Sequence, residues 1–245
     1  MTKNGIYEKY KVELDAVEKY IDNKYIYDIF YNYGFKVNNK FIELNSNINV
    51  YEACFIALLF NIYINKYKNK GTLNVLEIGL AYGTSALIII NEMIKYKYKK
   101  TYTVVDPNQT QQWESIGINN IKNFLKHMNK KLDCKLYEES STTVFDKFKK
   151  KFDISFIDGS HDEKIVILDL INSDAKLVKN GLIIVDDVLH TGVKKALITF
   201  LNKYKNYRKI SIDFLSKFDF KFNDKNNFDK KSFFNPSTMH CYQKC

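Results

Sequence analysis

Arginine is nearly missing from this chain of 245 residues: of 38 basic side chains only Arg208 is an arginine, although the formal net charge is +10. Planar arginine forks are the favoured groups for clamping phosphates and reading base edges. Their scarcity, with an abundance of Asn, Ile, Tyr and Phe, points to a coding bias that fills surface positions with lysine. It counts against nucleic acid as the partner, and the charge alone keeps an RNA acceptor as an alternative. Cysteine is sparse too. Cys54, Cys134, Cys241 and Cys245 have neither the spacing nor the context of a disulfide framework. His240, Cys241 and Cys245 lack the second ligand pair that a zinc site needs. A reducing, cytoplasmic compartment fits. No apolar run is long enough for a membrane span: the best candidate, Ala53 to Ile64, is short, is broken by Asn61 and reads as a buried helix. The opening Met1-Thr2-Lys3-Asn4-Gly5 leads into no apolar core, so no signal peptide and no membrane partner are expected. Only nine glycines are present, and Gly79, Gly83, Gly159, Gly181 and Gly192 all fall at candidate sheet-edge turns.

What is present divides the chain in two. Residues 1–70 contain no proline and place apolar and aromatic residues at helical spacing, as in Ile26, Ile29, Phe30 and Tyr33 and again from Val50 to Tyr67. They read as a helical extension that caps a substrate or makes an oligomer contact. Residues 71–245 read as one α/β domain. Strands are expected at 74–78, 102–105, 134–137, 154–157 and 182–185, and helices at 84–95, 110–128, 142–149, 162–178 and 192–204. This alternation predicts a mostly parallel sheet with helices on both faces. Two last strands, 209–214 and 239–243, have no helix between them and predict a C-terminal antiparallel hairpin, making seven strands in a Rossmann-like sheet. The segment 216–237 between them is too long for a tight turn and reads as a disordered loop or a functional flap.

Four constellations carry chemistry. Glu77-Ile78-Gly79-Leu80-Ala81-Tyr82-Gly83 follows a strand and opens a helix at Thr84, where glycine permits a tight turn and the helix N-terminus offers unpaired N–H groups. Asp106 ends the next strand, about 20 positions beyond the loop, where an acid can hold two ribose hydroxyls. The loop lacks the Gly-x-Gly-x-x-Gly spacing of nicotinamide sites. An acid at Glu77 would repel a pyrophosphate but suits a cationic sulfonium and ammonium, which favours S-adenosylmethionine. Phe156-Ile157-Asp158-Gly159-Ser160-His161 and Ile184-Val185-Asp186-Asp187 end two further strands, at the edge where open α/β sheets bind ligands. Three carboxylates brought together there call for a hard divalent cation, Mg²⁺ first, with Ca²⁺ or Mn²⁺ as alternatives. The competing reading gives the same residues to helix caps and turns.

These motifs, Leu-Glu-Ile-Gly with Gly-Thr-Ser-Ala and Phe-Ile-Asp-Gly-Ser-His, resemble class I S-adenosylmethionine-dependent methyltransferases. The similarity is to the metal-dependent catechol and caffeoyl-coenzyme A type and to the small Phe-Ile-Asp-Gly-Ser-His family, over about residues 70–205 and the terminal hairpin. The resemblance implies cofactor contacts from Glu77, Gly79, Gly83, Thr84, Asp106, Ser140, Ser141 and Asp158, with the two serines near the adenine. It implies metal ligands at Asp158, Asp186 and Asp187, although the catechol type has Asp-Asn at the last pair. It places His161 where a lysine base often stands, beside Asp158 as the catalytic pair; His190 and Lys164 are weaker candidates. The implied reaction is O-methylation of a small molecule or sugar, with a vicinal diol favoured because two adjacent oxygens can chelate a metal. A homodimer is implied by the same likeness. A nucleic-acid methyltransferase, a non-catalytic cofactor-fold module and a nicotinamide oxidoreductase are the rival readings.

Overall fold

A computed structural model describes residues 11–12, 14–18, 21, 23–37, 39–44, 48–68, 71–213, 219–222, 233–234 and 236–245. The described part of the N-terminal region is not all helical. Helix α1 (Asn23–Asn32) is followed by strands β1 (Gly34–Val37) and β2 (Lys40–Glu43), an antiparallel pair that the sequence reading did not expect. Helix α2 (Val50–Tyr67) then begins at a capping box: Asn49 Oδ1 accepts from Glu52 N–H while Glu52 Oε2 accepts from Asn49 N–H, both at 3.0 Å. Most of α2 is buried, as its largely apolar sequence requires, and no helix among the described residues is long and apolar enough to cross a membrane.

The alternating region follows as β3 (Leu73–Ile78), α3 (Thr84–Lys95), β4 (Lys100–Val105), α4 (Ile116–His127), β5 (Asp133–Tyr137), β6 (Phe152–Ile157), α5 (Glu163–Lys176), β7 (Leu177–Val185) and α6 (Thr191–Lys203). Two expected helices are shorter than read. The stretch before α4 is held as a loop by Pro107 and by left-handed Glu114 and Ser115, and residues 142–149 hold one helical turn, Ser141–Val144, and a 3₁₀ turn. The last strands are β8 (Tyr207–Asp213), β9 (Asp219–Phe222), β10 (Phe233–Phe234) and β11 (His240–Lys244).

The seven expected strands form one sheet in the order β5-β4-β3-β6-β7-β11-β8, parallel from β5 to β7. β8 and β11 do pair antiparallel, but β11 inserts between β7 and β8, so the chain's end lies inside the sheet. The short β9 and β10, both against β8, extend the sheet to nine strands; the rest of the expected flap lies outside the described residues. Alternation along the strands gives each face its own core. Leu73, Val75, Ile154 and Phe156 pack with α2 and α3 on one side, and Leu76, Ile78, Ile157 and Ile183 pack with α5 and α6 on the other.

Candidate functional site

The parallel ladder runs one residue past the strands, which lines up the groups that matter. Gly79 N–H donates to Val105 O at 2.9 Å, Asp158 N–H to Ile78 O at 2.9 Å and Asp186 N–H to Ile157 O at 3.0 Å. Gly79, Asp106, Asp158 and Asp186 therefore stand side by side at the C-terminal edge of β3, β4, β6 and β7. Gly79 has φ +87°, and a Cβ there would lie 2.1 Å from the Asp158 carbonyl oxygen. Only glycine lets the two strand ends come that close. Gly83, at φ +86°, caps α3, and Thr84 turns its hydroxyl onto the Leu44 carbonyl at 3.0 Å.

Asp106 braces this loop. Its Oδ2 accepts from the Leu80 and Ala81 N–H groups, both at 3.0 Å, and from Gln109 Nε2 at 3.1 Å. Among the described residues its Oδ1 accepts only from Asn108 N–H, at 2.9 Å. A carboxylate oxygen can take two hydrogen bonds, so Oδ1 keeps capacity for a ligand hydroxyl. Glu77 differs from expectation. It is fully buried beneath the loop, with Oε1 held by the Ser85 hydroxyl at 2.5 Å and Oε2 by the Tyr102 hydroxyl. Burial pushes its carboxyl up to about 8, against the two hydroxyls, which pull it down. It borders neither cavity described below, so it does not present a charge to a sulfonium; it fastens the strand to α3 and β4.

Two cavities open at this edge and share Gly79, Ala81, Trp113, Asp158 and Gly159. The larger, about 410 Å³, extends along Asp106, Ser140, Ser141 and Asp169. That size and the mixture of apolar wall with a few polar groups suit a nucleoside-sized ligand. Ser140 also caps the helical turn, accepting from Thr142 N–H at 3.2 Å. The second cavity, about 350 Å³, is bordered by Ile48, Thr84, Ser85, His161 and Asp187.

Carboxylates crowd the junction. Burial raises Asp158 well above the usual carboxylate range, and the neighbouring Asp186 and Asp187 raise it further. Burial and then Glu52 raise Asp186 in the same way. Glu52, from the first turn of α2, was not anticipated; burial raises it too, and the Thr238 hydroxyl donates to its Oε1. His161 Nε2 lies 2.8 Å from Asp187 Oδ2, and the His190 ring stacks on His161 with centroids 4.2 Å apart. Gly192 makes the first of these contacts compatible with the fold, since a Cβ on it would meet the His161 carbonyl oxygen at 2.1 Å. Asp187 itself sits in the left-handed region at φ +54°, which aspartate tolerates better than most residues.

The chemistry of the oxygen donors fits a hard cation, and Asp158, Asp186 and Asp187 border a void of about 10 Å³, close to the smallest that holds one water-sized occupant. Their convergence does not reach that of a formed site: among the described residues no three His, Cys, Asp or Glu groups are close enough to hold an ion. The same holds at the C-terminus, where Cys241 is buried and His240 Nε2 meets Lys209 Nζ at 2.9 Å. Besides Glu52, the sequence reading missed Trp113 and Asp169. The signal for both acids was there: each interrupts a continuous apolar run inside a helix.

Residues 76–188 match the family model described as "Methyltransferase domain". No match is found among the curated proteins. Among solved structures, the O-methyltransferase NovP is similar with a TM-score of 0.61 at 11% identity, covering 91% of this chain and 98% of that one. An O-methyltransferase from Bacillus cereus in complex with SAH gives 0.55 at 14% identity over 82% and 84% of the two chains. A precorrin-6y C5,15-methyltransferase from Geobacter metallireducens gives 0.53 at 14% over 86% and 98%. At these identities the solved structures speak for the fold. They show a Rossmann-like methyltransferase fold, and the domain match spans the glycine loop and the strand-end Asp106, Asp158, Asp186 and Asp187.

Proposed function

We propose that the chain methylates a hydroxyl oxygen of a small molecule or sugar, with His161 as the base. The observation that carries this reading is the 2.8 Å contact between His161 Nε2 and Asp187 Oδ2, on the wall of the cavity that adjoins the cofactor cavity. Asp187 fixes the imidazole with Nε2–H as donor and leaves Nδ1 as the free lone pair. The acceptor O–H gives its proton to Nδ1 as the oxygen bonds to the methyl carbon. The methyl–sulfonium bond breaks, its electron pair stays on sulfur, and S-adenosylhomocysteine leaves as a neutral thioether. Asp187 then stabilises the imidazolium. Holding donor and acceptor in line can contribute roughly 7–11 kcal/mol, and Gly79, Asp106 and Asp158 supply that alignment on the donor side.

Asp158, Asp186 and Asp187 are the residues that would hold a divalent cation, Mg²⁺ in the first place. Bound there, such an ion supplies positive charge that favours the ionised form of an acceptor oxygen. The raised Asp158 and Asp186 carboxyls support this, because neutralising them by a cation removes a repulsion that the protein otherwise meets with protons. An acceptor with two adjacent hydroxyls, a catechol or a sugar diol, suits that arrangement.

The test is turnover on a panel of diol acceptors, with His161→Ala beside the wild type. Loss of the base should lower kcat roughly 10²–10⁴-fold and leave affinity for S-adenosylhomocysteine within about twofold, since His161 does not border the larger cavity. Undiminished turnover by the variant overturns the base assignment. Full wild-type turnover after chelation removes the metal. Cofactor binding with methyl transfer only to RNA moves the acceptor to nucleic acid.

A further inference from the structure

The two edges of the parallel sheet carry opposite charge. Residues 95–100, 126–132 and 147–151 lead into β4, β5 and β6 at the edge away from the cavities, and they hold eleven lysines and no acid. Residues 79–83, 106–115, 138–140, 158–162 and 186–190 leave β3 to β7 at the cavity edge, and they hold eight acids and no lysine or arginine. A coding bias sets how many lysines a chain has but does not sort them by edge. Helix dipoles favour cations at helix C-termini, which accounts for Lys95 and Lys126 in the last turns of α3 and α4. The other nine lie outside α-helices.

These lysines crowd one another. Burial lowers Lys100, and Lys130 lowers it further. Burial also lowers Lys150; Asp133 raises it, and Lys135 and Lys99 lower it again. Two acids of the neighbouring elements are already paired, Asp153 with Lys68 at 2.7 Å and Glu92 with Lys95 at 2.5 Å. Gathered like charges repel, and a partner of opposite sign converts that cost into binding. Strand register sets the shape of the edge. Leu73 pairs with Lys100, Thr101 with Asp133 and Val75 with Ile154, so the four strands start at nearly one level. The lysine segments therefore form a shelf rather than a groove. Tyr98, 49% exposed, stands on it, and an exposed tyrosine suits the headgroup level of a bilayer.

We propose that this edge docks on a bilayer surface carrying anionic headgroups, through the exposed Lys97, Lys99, Lys130, Lys131, Lys149 and Lys151. Lysine is a point charge that meets a fluid array of headgroups without the fixed fork of arginine. A polynucleotide fits less well. No arginine lies in these segments, and a strand bound here would be held at the edge opposite the cavities. The acids at the cavity edge are repelled by the same surface, so docking turns the cavities toward the solution. Such contact needs no spanning helix.

In the test, the full chain is pelleted with vesicles of phosphatidylcholine alone and of phosphatidylcholine with about 30% phosphatidylserine, at about 0.15 M salt. The mixed vesicles should bind the chain and the neutral ones should not. Each lysine near an anionic surface contributes roughly fivefold to binding, so the triple variant Lys99→Gln, Lys130→Gln, Lys149→Gln should lower the partition coefficient roughly 100-fold. All three positions are exposed, and a thermal melt checks that the variant is folded. The triple variant Lys164→Gln, Lys194→Gln, Lys195→Gln removes the same charge from the start of α5 and α6, at the cavity edge. It should lower the partition coefficient by less than about fivefold. Absent binding, or equal binding to the two vesicle types, overturns the proposal. So does an equal loss in the two variants, which would mean that net charge alone is read. Binding of polyuridylate but not of vesicles, lost in the first variant, gives the edge to nucleic acid and overturns it as well.

Discussion

Gly79 is where a single atom decides the site. A methyl group there would have to occupy space 2.1 Å from the Asp158 carbonyl oxygen, on a backbone at φ +87°. The obstacle is main chain on both sides, so no side-chain rotation relieves it. Adding the left-handed strain of roughly 1–3 kcal/mol to an overpacking cost of similar size, Gly79→Ala should destabilise the fold by about 2–6 kcal/mol. It should also weaken S-adenosylhomocysteine binding at least tenfold, because Asp158 is displaced with its carbonyl. Urea melts and calorimetry measure the two. A variant as stable as the wild type, with unchanged affinity, would mean that the strands are farther apart than described here. This position was legible in the sequence, since a scarce glycine directly after an apolar strand has few other uses. Glu77 was legible as important, but its role was misread: an acid next to a proposed sulfonium invites an electrostatic argument, while the actual partners, Ser85 and Tyr102, come from a helix and a neighbouring strand that spacing does not reveal.

At the scale of elements, α2 belongs to the site more than its position in the chain suggests. Its capping box engages Glu52 twice, the Thr238 hydroxyl engages it a third time, and Thr238 O accepts from Val188 N–H at 2.9 Å. The first turn of α2, the segment before β11 and the loop after Asp187 are thus one bonded unit. Asn49→Ala removes the cap and should cost about 1 kcal/mol of stability. It should lower kcat severalfold with little change in cofactor affinity, because the loop it loosens carries Asp187 and not Asp106. A denaturant midpoint that does not move would show that the cap is idle. The alternation of β3 to α6 could be read directly because strands buried on both faces become uninterrupted apolar runs. The β1–β2 pair escaped because its strands are four residues each and its aromatic residues fit a helical count as well. Its Asn38-Asn39 connection was the available signal for a two-residue turn. That β11 would enter between β7 and β8 was not available, since strand order is decided by tertiary packing. Glu52 and Asp169 were overlooked for a related reason: an acid inside a helix reads as an outward position until the facing layer is known.

For the whole molecule, the burial of acids makes stability depend on pH in a direction opposite to ordinary acid denaturation. A carboxyl raised on folding contributes fully below its unfolded value, and its contribution is lost as pH rises toward the folded value. Glu77, pushed up from 4.5 to about 8, opens such a window. His240 acts the other way: burial and then Lys209 lower it from 6.5 to about 4, so its contribution is lost on acidification and is complete above 6.5. Asp169, raised to about 6, has passed through its change by that point. Between about pH 6.5 and 8 the Glu77 effect remains, beside that of Asp158 and Asp186, which burial also raises, and from Glu77 alone the free protein should lose about 1.5 kcal/mol, roughly 3–6 °C in Tm for a chain of this size. Glu77→Gln keeps a donor and an acceptor for the Ser85 and Tyr102 hydroxyls and removes the titration. Thermal melts of both proteins across that window should therefore diverge as pH rises, with the variant the more stable at pH 8. A gap that stays constant would mean that Glu77 is already ionised at pH 6.5. Its two hydroxyl partners would then outweigh its burial, and a negative charge would lie beneath the glycine loop after all.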